Sequence, residues 1–223
     1  MEATIQSIIA NLNDVLTNEN FVGIGSTRKA FKYKQFVIKK YVHEIGYLQT
    51  QNEAAIYEIL LTRDLAAHVA PILYVDKHLM IQPFYEQLPL CNNSSYDLNL
   101  QEEKRLTVDL KEALSIIDQE LDGFDFRDSG NYGLDDKGNL ILIDYGMTKT
   151  LYENKWVPLA EAGILAQIAF ERCPSCGIEK EIHTYGKEDL DRRCVACGKE
   201  IREEKQAAFQ PLNVGRLLFR LIG

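Results

Sequence analysis

Two Cys-x-x-Cys-Gly motifs constrain this chain more than any other feature of its sequence. They begin at Cys173 and Cys194, and seventeen residues separate Cys176 from the second motif. Each motif points two sulfurs toward one site, and the glycine that follows permits a left-handed turn that frees backbone amides toward the thiolates. The spacing matches structural zinc sites, in which four protein sulfurs leave no open coordination position. We therefore predict one structural zinc ion bound by Cys173, Cys176, Cys194 and Cys197.

Other readings of the cysteine segment explain less of its sequence. A redox dithiol or four unrelated thiols would leave the repeated Cys-Gly pattern unexplained. His183 lies between the motifs but is surplus to a four-sulfur site, and Cys91 stands alone, as a small buried hydrophobic residue often does. Residues 171–205 carry eight basic and nine acidic side chains, whereas nucleic-acid binding requires a concentrated cationic face.

Charge and composition limit the other partners. The 223 residues carry a formal net charge of −8, which repels phosphate backbones and anionic lipid. The longest apolar stretch is too short to cross a bilayer, and the first residues lack the pattern of a signal peptide. We expect a soluble, cytoplasmic protein with no membrane partner, in which reduced cysteines are available to a metal.

Hydrophobic periodicity predicts an α+β fold. Helical spacing marks residues 1–19, 48–61, 106–121, 159–172 and 213–222, while short runs of β-branched and aromatic residues indicate strands between them. Two apolar runs, Asn131–Leu134 and Leu140–Asp144, flank a turn that contains glycine and predict a hairpin. Pairing Leu134 with Leu140 would place Asn131 beside Asp144 at the open end of that hairpin. Two hard oxygen donors at this separation suit a magnesium ion, although a strand-end capping pair has the same appearance.

A second group of residues suggests a phosphate site. Gly23 and Gly25 lie in a turn between two predicted strands, where glycine lets the backbone approach a phosphate. Lys39 lies inside an apolar strand, so its burial would be costly without an anionic partner. Glu53 on the following helix is the expected partner. The alternatives are that Lys39 and Lys40 are both solvent-exposed, or that Glu58 faces inward instead.

The order of these motifs along the chain resembles that of the protein-kinase-like fold. Ile38-Lys39 is similar to the end of the family's lysine strand and Glu53 to its ion-pair partner. Gln82–Tyr85 is similar to the hinge, and Asp144-Tyr-Gly146 to the Asp-Phe-Gly motif. The resemblance covers about residues 20–150. It implies that Gly23 and Gly25 cover the phosphates of ATP, that Lys39 contacts the α- and β-phosphates, and that Asn131 and Asp144 hold magnesium.

The chain departs from the family pattern at three places. Arg28 replaces the third glycine of the loop, and no Ala-Pro-Glu segment follows Asp144. The segment Phe126-Arg127-Asp128 resembles His-Arg-Asp, but the interval from Asp128 to Asn131 is three residues where the family has five. Counting from Asp125 gives an interval of six. Asp128 is the favoured catalytic base and Asp125 the alternative.

These observations predict a two-lobed kinase-like fold with a truncated C-terminal lobe and an inserted zinc ribbon. The expected parts are an N-terminal helix (1–19), an N-lobe (20–86), a reduced C-lobe (87–172), the zinc ribbon (173–200) and a helical tail (201–223). We expect an atypical, protein-kinase-like phosphotransferase that uses ATP and Mg²⁺, with an unknown protein or small molecule as acceptor. The alternative is a nucleotide-binding pseudokinase or partner-binding module with structural zinc.

Overall fold

The computed structural model describes residues 2–204 and has a mixed α+β architecture with three antiparallel sheets. The largest sheet has five strands in the order β1-β2-β3-β5-β4. Their bounds are β1 Phe21–Ile24, β2 Arg28–Tyr33, β3 Phe36–Tyr41, β4 Tyr74–Val75 and β5 Leu79–Pro83. Within residues 2–204, no helix combines the length and the apolar character needed to cross a membrane.

The alternation of side chains along β3 divides this sheet into two packed faces. Ile38 belongs to a cluster with residues of two short helices, α1 Glu2–Ala10 and α2 Leu12–Val15. Lys39 lies next to it and therefore faces the other way, toward α3 Glu44–Leu61. In the ladder, Lys39 pairs with Ala30 on β2 and with Met80 on β5.

The second half of the chain combines one helix with a three-stranded sheet. The helix α4, Val108–Glu120, starts at Thr107, whose hydroxyl accepts a hydrogen bond from the Leu110 N–H at 3.1 Å. The sheet contains β6 Glu86–Gln87, β7 Tyr132–Leu134 and β8 Leu140–Leu142. The C-terminal part of α3 contributes Ile56 and Leu60 to the same buried cluster as α4, β7 and β8. Helix α3 therefore packs against the second half of the chain as well as against the first sheet.

The cysteine segment is a hairpin joined to a short helical stretch. Helix α5 Lys149–Leu151 continues through a π-helical turn, Tyr152–Trp156, into α6 Val157–Glu161. The hairpin strands are β9 Gln167–Arg172 and β10 Glu179–Thr184, and the first cysteine motif forms the turn between them.

Several sequence-based boundaries need correction. The helix expected over 159–172 ends at Glu161, because Gly163 adopts a left-handed φ of 69° and β9 begins at Gln167. The helix expected over 1–19 is broken into α1 and α2. The helices over 48–61 and 106–121 are present, the first beginning earlier, at Glu44. The helix expected over 213–222 lies outside the described residues, and residues 201–204 are not helical.

Candidate functional site

A large cleft of about 1410 Å³ brings together most of the residues singled out by the sequence. It lies between the turn that joins β1 to β2, the segment 124–131 that precedes β7, and the hairpin β9–β10. Lys39, Asn131 and Asp144 line it, as do Asp125 and Asp128. Side chains from distant parts of the sequence therefore face one space.

Arg28 occupies the centre of the charged cluster. Its guanidinium donates from Nη1 to both oxygens of Glu53 at 3.1 Å, and from Nη2 to Oδ1 of Asp144. Arg28 is 6% exposed and Glu53 is 0% exposed, so this ion pair is removed from solvent. A planar guanidinium can bridge two carboxylates in this way because its N–H groups diverge in a fixed fork. Arg28 thus connects β2 to α3 and to Asp144, the second residue after β8.

Lys39 contacts the second half of the chain directly. Its Nζ donates to the Ile143 carbonyl at 2.7 Å and lies 3.9 Å from Oδ2 of Asp144. The predicted burial of Lys39 and Glu53 is confirmed, while Glu58 is exposed. The predicted ion pair between Lys39 and Glu53 is wrong. Arg28, on the neighbouring strand, pairs with Glu53 at 3.1 Å, and Lys39 lies near Asp144 instead.

The protonation of this cluster follows from burial and from its two cations. Burial raises the pKa of Glu53, against the opposing effect of Arg28. Burial also lowers the pKa of Lys39, while the negative charge of Asp144 acts in the opposite direction. Burial acts to raise the pKa of Asp144, but the positive charges of Arg28 and Lys39 together hold this pKa below the ordinary value. Asp144 is therefore the most firmly ionised carboxylate of the group.

The hairpin register places Asn131 beside Asp144, as the sequence predicted. Leu134 pairs with Leu140, and the Asn131 carbonyl accepts a hydrogen bond from the Ile143 N–H at 2.8 Å. The side chain of Asn131 donates through Nδ2 to the Asp125 carbonyl at 2.7 Å and to Asp125 Oδ2 at 3.2 Å. The amide nitrogen of Asn131 therefore points toward Asp125, which leaves its amide oxygen as the donor available to a cation.

The two candidate bases have different surroundings. Asp128 caps a short 3₁₀ turn, because its Oδ1 accepts a hydrogen bond from the Gly130 N–H at 2.8 Å. Asp125 adopts a left-handed φ of 65°. Desolvation in the cleft raises the pKa of Asp125 to about 6, and the charges of Asp128 and Asp144 act in the same direction. Asp125 thus combines a carboxylate that contacts Asn131 with a pKa close to neutral pH.

Three stacked aromatic rings close the cleft beside the glycine-containing turn. The ring centroids of Phe124 and Tyr152 are 4.6 Å apart, and those of Tyr152 and Trp156 are 5.2 Å apart. Trp156 Nε1 donates to the Ser26 hydroxyl at 3.0 Å. The stack runs along the π-helical turn, a geometry that is rare and often found at functional sites. It links the residue before Asp125 to the tip of the β1–β2 turn.

The four cysteine sulfurs converge on one point. The Sγ atoms of Cys173, Cys176, Cys194 and Cys197 all lie within 4.8 Å of one another. A tetrahedral zinc with Zn–S bonds of about 2.3 Å spaces its sulfurs about 3.8 Å apart, so small adjustments suffice. The four side chains could hold a metal ion such as zinc.

Backbone geometry around the cysteines fits this use. The glycines after the motifs have left-handed φ values, 69° for Gly177 and 97° for Gly198. Cys173 accepts a hydrogen bond from the Cys194 N–H at 3.3 Å, and such backbone donors lower its pKa to about 6. A thiol that ionises readily is a better metal ligand. Cys91, by contrast, is exposed in a turn rather than buried, so that expectation was wrong.

The segment after the cysteines fastens this module to the first sheet. Glu203 pairs with Lys29 and, at 3.1 Å, with Lys40. Glu204 donates its N–H to the Val42 carbonyl at 2.8 Å, and its carboxylate accepts from the Glu44 N–H at 2.9 Å. No sequence pattern predicts these contacts. For the pairing of Arg28 with Glu53, the only sequence feature that pointed to a special role was the arginine at the position of the third glycine.

Comparisons of the chain with protein-family models, with curated proteins and with solved structures find no match.

Proposed function

We propose that the chain is an atypical, kinase-like phosphotransferase that uses ATP and Mg²⁺. The observation that carries this proposal is the meeting of Lys39 and Asp144 in one cleft, which Gly23 and Gly25 also line. Gly23 lies on β1 rather than in the turn, and Gly25 lies in the turn that follows it. A lysine and a carboxylate in this relation can bind the two ends of a metal-bound polyphosphate. The order of the motifs along the chain, which resembles that of the protein-kinase-like fold, supports the same proposal.

Each residue receives a role from its position. The backbone of Gly23 and Gly25 would approach the phosphates, since no atom lies within 4 Å of a Cβ built on Gly23. Lys39 would neutralise phosphate charge. Asp144 and the amide oxygen of Asn131 form the hard-oxygen donor set that magnesium requires, and they lie at the same end of the hairpin. Magnesium would supply charge neutralisation to the transferred phosphoryl group.

The surroundings of the two aspartates favour Asp125 over Asp128 as the base. Both aspartates line the cleft, but the carboxylate of Asp128 caps a turn, whereas Asp125 has a pKa of about 6. A general base works best when its pKa is close to the operating pH. The acceptor would be a hydroxyl group of a protein or small molecule that enters beside Asp125. The cysteine site would be structural, and its reduced thiolates suit a cytoplasmic location.

Incubation of the purified protein with Mg²⁺ and labelled ATP tests the proposal, with ADP release and self-labelling as the readouts. We expect Mg²⁺-dependent turnover that Asp144→Asn eliminates, because that change removes the carboxylate of the metal site. Lys39→Met should abolish nucleotide binding. Lys40→Met is the matched control, since Lys40 pairs with Glu203 instead, and it should bind ATP like the parent. Loss of binding in Lys40→Met but not in Lys39→Met would refute the site.

One observation favours a second function, a nucleotide-binding pseudokinase or a partner-binding module. Arg28 engages Glu53 and one carboxylate oxygen of Asp144, so a magnesium ion at Asp144 competes with Arg28 for that oxygen. The short interval between Asp128 and Asn131 points in the same direction. ATP binding without turnover in the parent and in Arg28→Gln would favour this second function.

A further inference from the structure

His183 lies outside the group of four cysteines and has no role in the proposed active site. His183 lies on β10, where it pairs with Ile168 across the hairpin. Its neighbour Ile182 packs among the cysteines. Since successive side chains of a strand face opposite ways, the imidazole points away from the metal site. It lines the same cleft as Lys39 and Asp144.

The ring of His183 is buried but not satisfied. The residue is 1% exposed, and neither Nδ1 nor Nε2 has a hydrogen-bond partner among residues 2–204. The backbone of Ile24 lies close enough to the ring to act on the pKa of His183, in the direction opposite to burial, which places the imidazole beside the end of β1. Buried polar atoms are nearly always paired, so an unpaired imidazole in a cleft indicates that a ligand completes the site.

The surroundings of the ring indicate which ligand chemistry would complete it. Burial, with a smaller effect of the Lys199 charge, lowers the pKa of His183, so the neutral ring offers one N–H donor and one lone pair. Ile24 stands between Gly23 and Gly25, and the space beside Gly23 is open. Amide groups of a glycine-containing turn bind anions. The N–H donor, the turn and Lys39 together suit phosphate oxygens.

A metal ion at the ring is less consistent with the structure. Within the described part of the chain, the four cysteines are the only group of three or more metal-ligating side chains brought together, and His183 does not belong to it. The nearest acidic residue along the same strand face, Glu181, is close enough to Asp128 for that negative charge to raise the pKa of Glu181. The imidazole therefore faces the part of the cleft roofed by the glycine-containing turn.

We propose that His183 donates a hydrogen bond to the phosphate chain of the nucleotide, so that the metal-binding hairpin forms one wall of the phosphate site. This inference rests on the proposed function, because it places a nucleotide in the cleft. It gives the cysteine module a part in ligand binding: the metal fixes the turn that joins β9 to β10, and β10 holds the imidazole in place.

Titration calorimetry of the zinc-loaded protein with MgATP, with inorganic tripolyphosphate and with adenosine tests this assignment. His183→Leu removes the donor, and we expect it to weaken MgATP and tripolyphosphate binding about tenfold, as loss of one hydrogen bond does. Adenosine affinity should not change. His183→Gln keeps an N–H donor and should recover part of the loss. His78→Leu is the matched control, since His78 lies outside the cleft and should bind all three ligands like the parent.

The outcomes separate this inference from the proposed function. If the parent binds MgATP and His183→Leu binds it equally well, the role of His183 is refuted while the proposed function stands. If His183→Leu weakens adenosine as much as tripolyphosphate, the residue acts on the fold and the inference is also wrong. If His183→Leu loses its zinc, the zinc-loaded variants His183→Gln and His183→Ala decide the question. Tighter tripolyphosphate binding by His183→Gln than by His183→Ala supports the hydrogen bond, and equal binding by the two variants refutes it. A parent that binds no phosphate ligand overturns both proposals.

Discussion

Arg28 is the residue on which the buried charges of this protein depend. It compensates Glu53, which no solvent reaches, and it shares Asp144 with Lys39. Removing one member of a buried pair leaves an uncompensated charge, which costs far more than removing both. The side chain that departs from the glycine pattern is therefore a structural requirement of this cleft.

We expect Arg28→Gln to lower the free energy of unfolding by about 3–5 kcal/mol, as is typical when a buried pair is broken. Urea denaturation measures this change. The matched control is Arg63→Gln, which removes an exposed pair with Glu120 and should cost far less, because solvent screens the attraction between exposed charges. Equal losses in the two variants would show that the Arg28 pair contributes no more than a surface contact.

Under the proposed function, the raised pKa of Asp125 predicts the pH dependence of phosphotransfer. A base must be ionised to accept a proton, and the pKa of Asp125 is about 6, above the ordinary value for aspartate. Turnover at low substrate should therefore rise as the pH increases through about 6 and level off above it. Initial rates between pH 5 and pH 8 give the profile. Asp125→Asn should lose turnover, by a factor on the order of 10²–10⁴, together with this rise, whereas Asp128→Asn should keep the rise.

At the scale of elements, glycine conformation decides where the helical stretch ends and the metal-binding hairpin begins. Gly163 has a φ of 69°, and a Cβ built on it would lie 2.8 Å from the Tyr185 carbonyl oxygen. An L-residue is strained at such a φ, and here it also meets backbone that cannot easily move. The turn at Gly163 thus holds the start of β9 against the end of β10.

Gly163→Ala should lower stability by more than the roughly 1–2 kcal/mol that a left-handed alanine costs by itself. Gly138→Ala separates the two effects, because Gly138 has a φ of 80° but no atom within 4 Å of a built Cβ. Chemical denaturation of both variants gives the difference. If the two losses are the same, the close approach to Tyr185 has no energetic consequence.

The elements that the sequence predicted well are those with local signals. The Asn131–Asp144 hairpin was predictable because a turn with glycine separates two short apolar runs, and the structure has the predicted register. The region 159–172 was predicted wrongly, because apolar residues in a short segment suit a helix and a strand equally. The backbone conformation of Gly163, which settles the matter, depends on contacts with distant residues.

In the site itself, residue types were easier to predict than pairings. Burial of Lys39 and Glu53 follows from strand alternation and helix periodicity. The pairing of Arg28 with Glu53 depends on how far a long side chain reaches across a strand. Hydrophobic periodicity in the sequence carries no information about that distance. The same holds for Glu203, whose lysine partners lie on β2 and β3 more than a hundred residues earlier.

At the scale of the whole molecule, the cysteine module should depend on its metal while the first sheet does not. We expect the protein to purify with one zinc, and Cys173→Ser combined with Cys194→Ser to lose the ion and unfold the segment between the motifs. The sheet and α1 have their own buried cluster and should stay folded. Elemental analysis and limited proteolysis of both proteins measure this. A parent prepared without chelator that contains no zinc would disprove the metal site.

Limited proteolysis of the zinc-free protein should cut the chain first near β9 and β10. Glu203 and Glu204 nevertheless hold the chain beyond the module on β2, β3 and the start of α3. A cut within the unfolded segment should therefore leave two fragments that co-elute in gel filtration. Separation of the fragments would indicate that these contacts are too weak to hold the chain.

The position of α3 in two buried clusters has a kinetic consequence for the cleft. Helix α3 contributes Ala54 to the cluster under the first sheet and Leu60 to the cluster around α4, so it is embedded in both halves. A rigid-body swing of one half against the other would break apolar packing at one end of this helix. Ligand exchange should instead proceed through small excursions of the β1–β2 turn, released when the Trp156–Ser26 hydrogen bond opens. If the proposed function is right, a Trp156→Phe variant, which lacks the indole N–H, should release bound nucleotide faster than the parent at nearly unchanged stability.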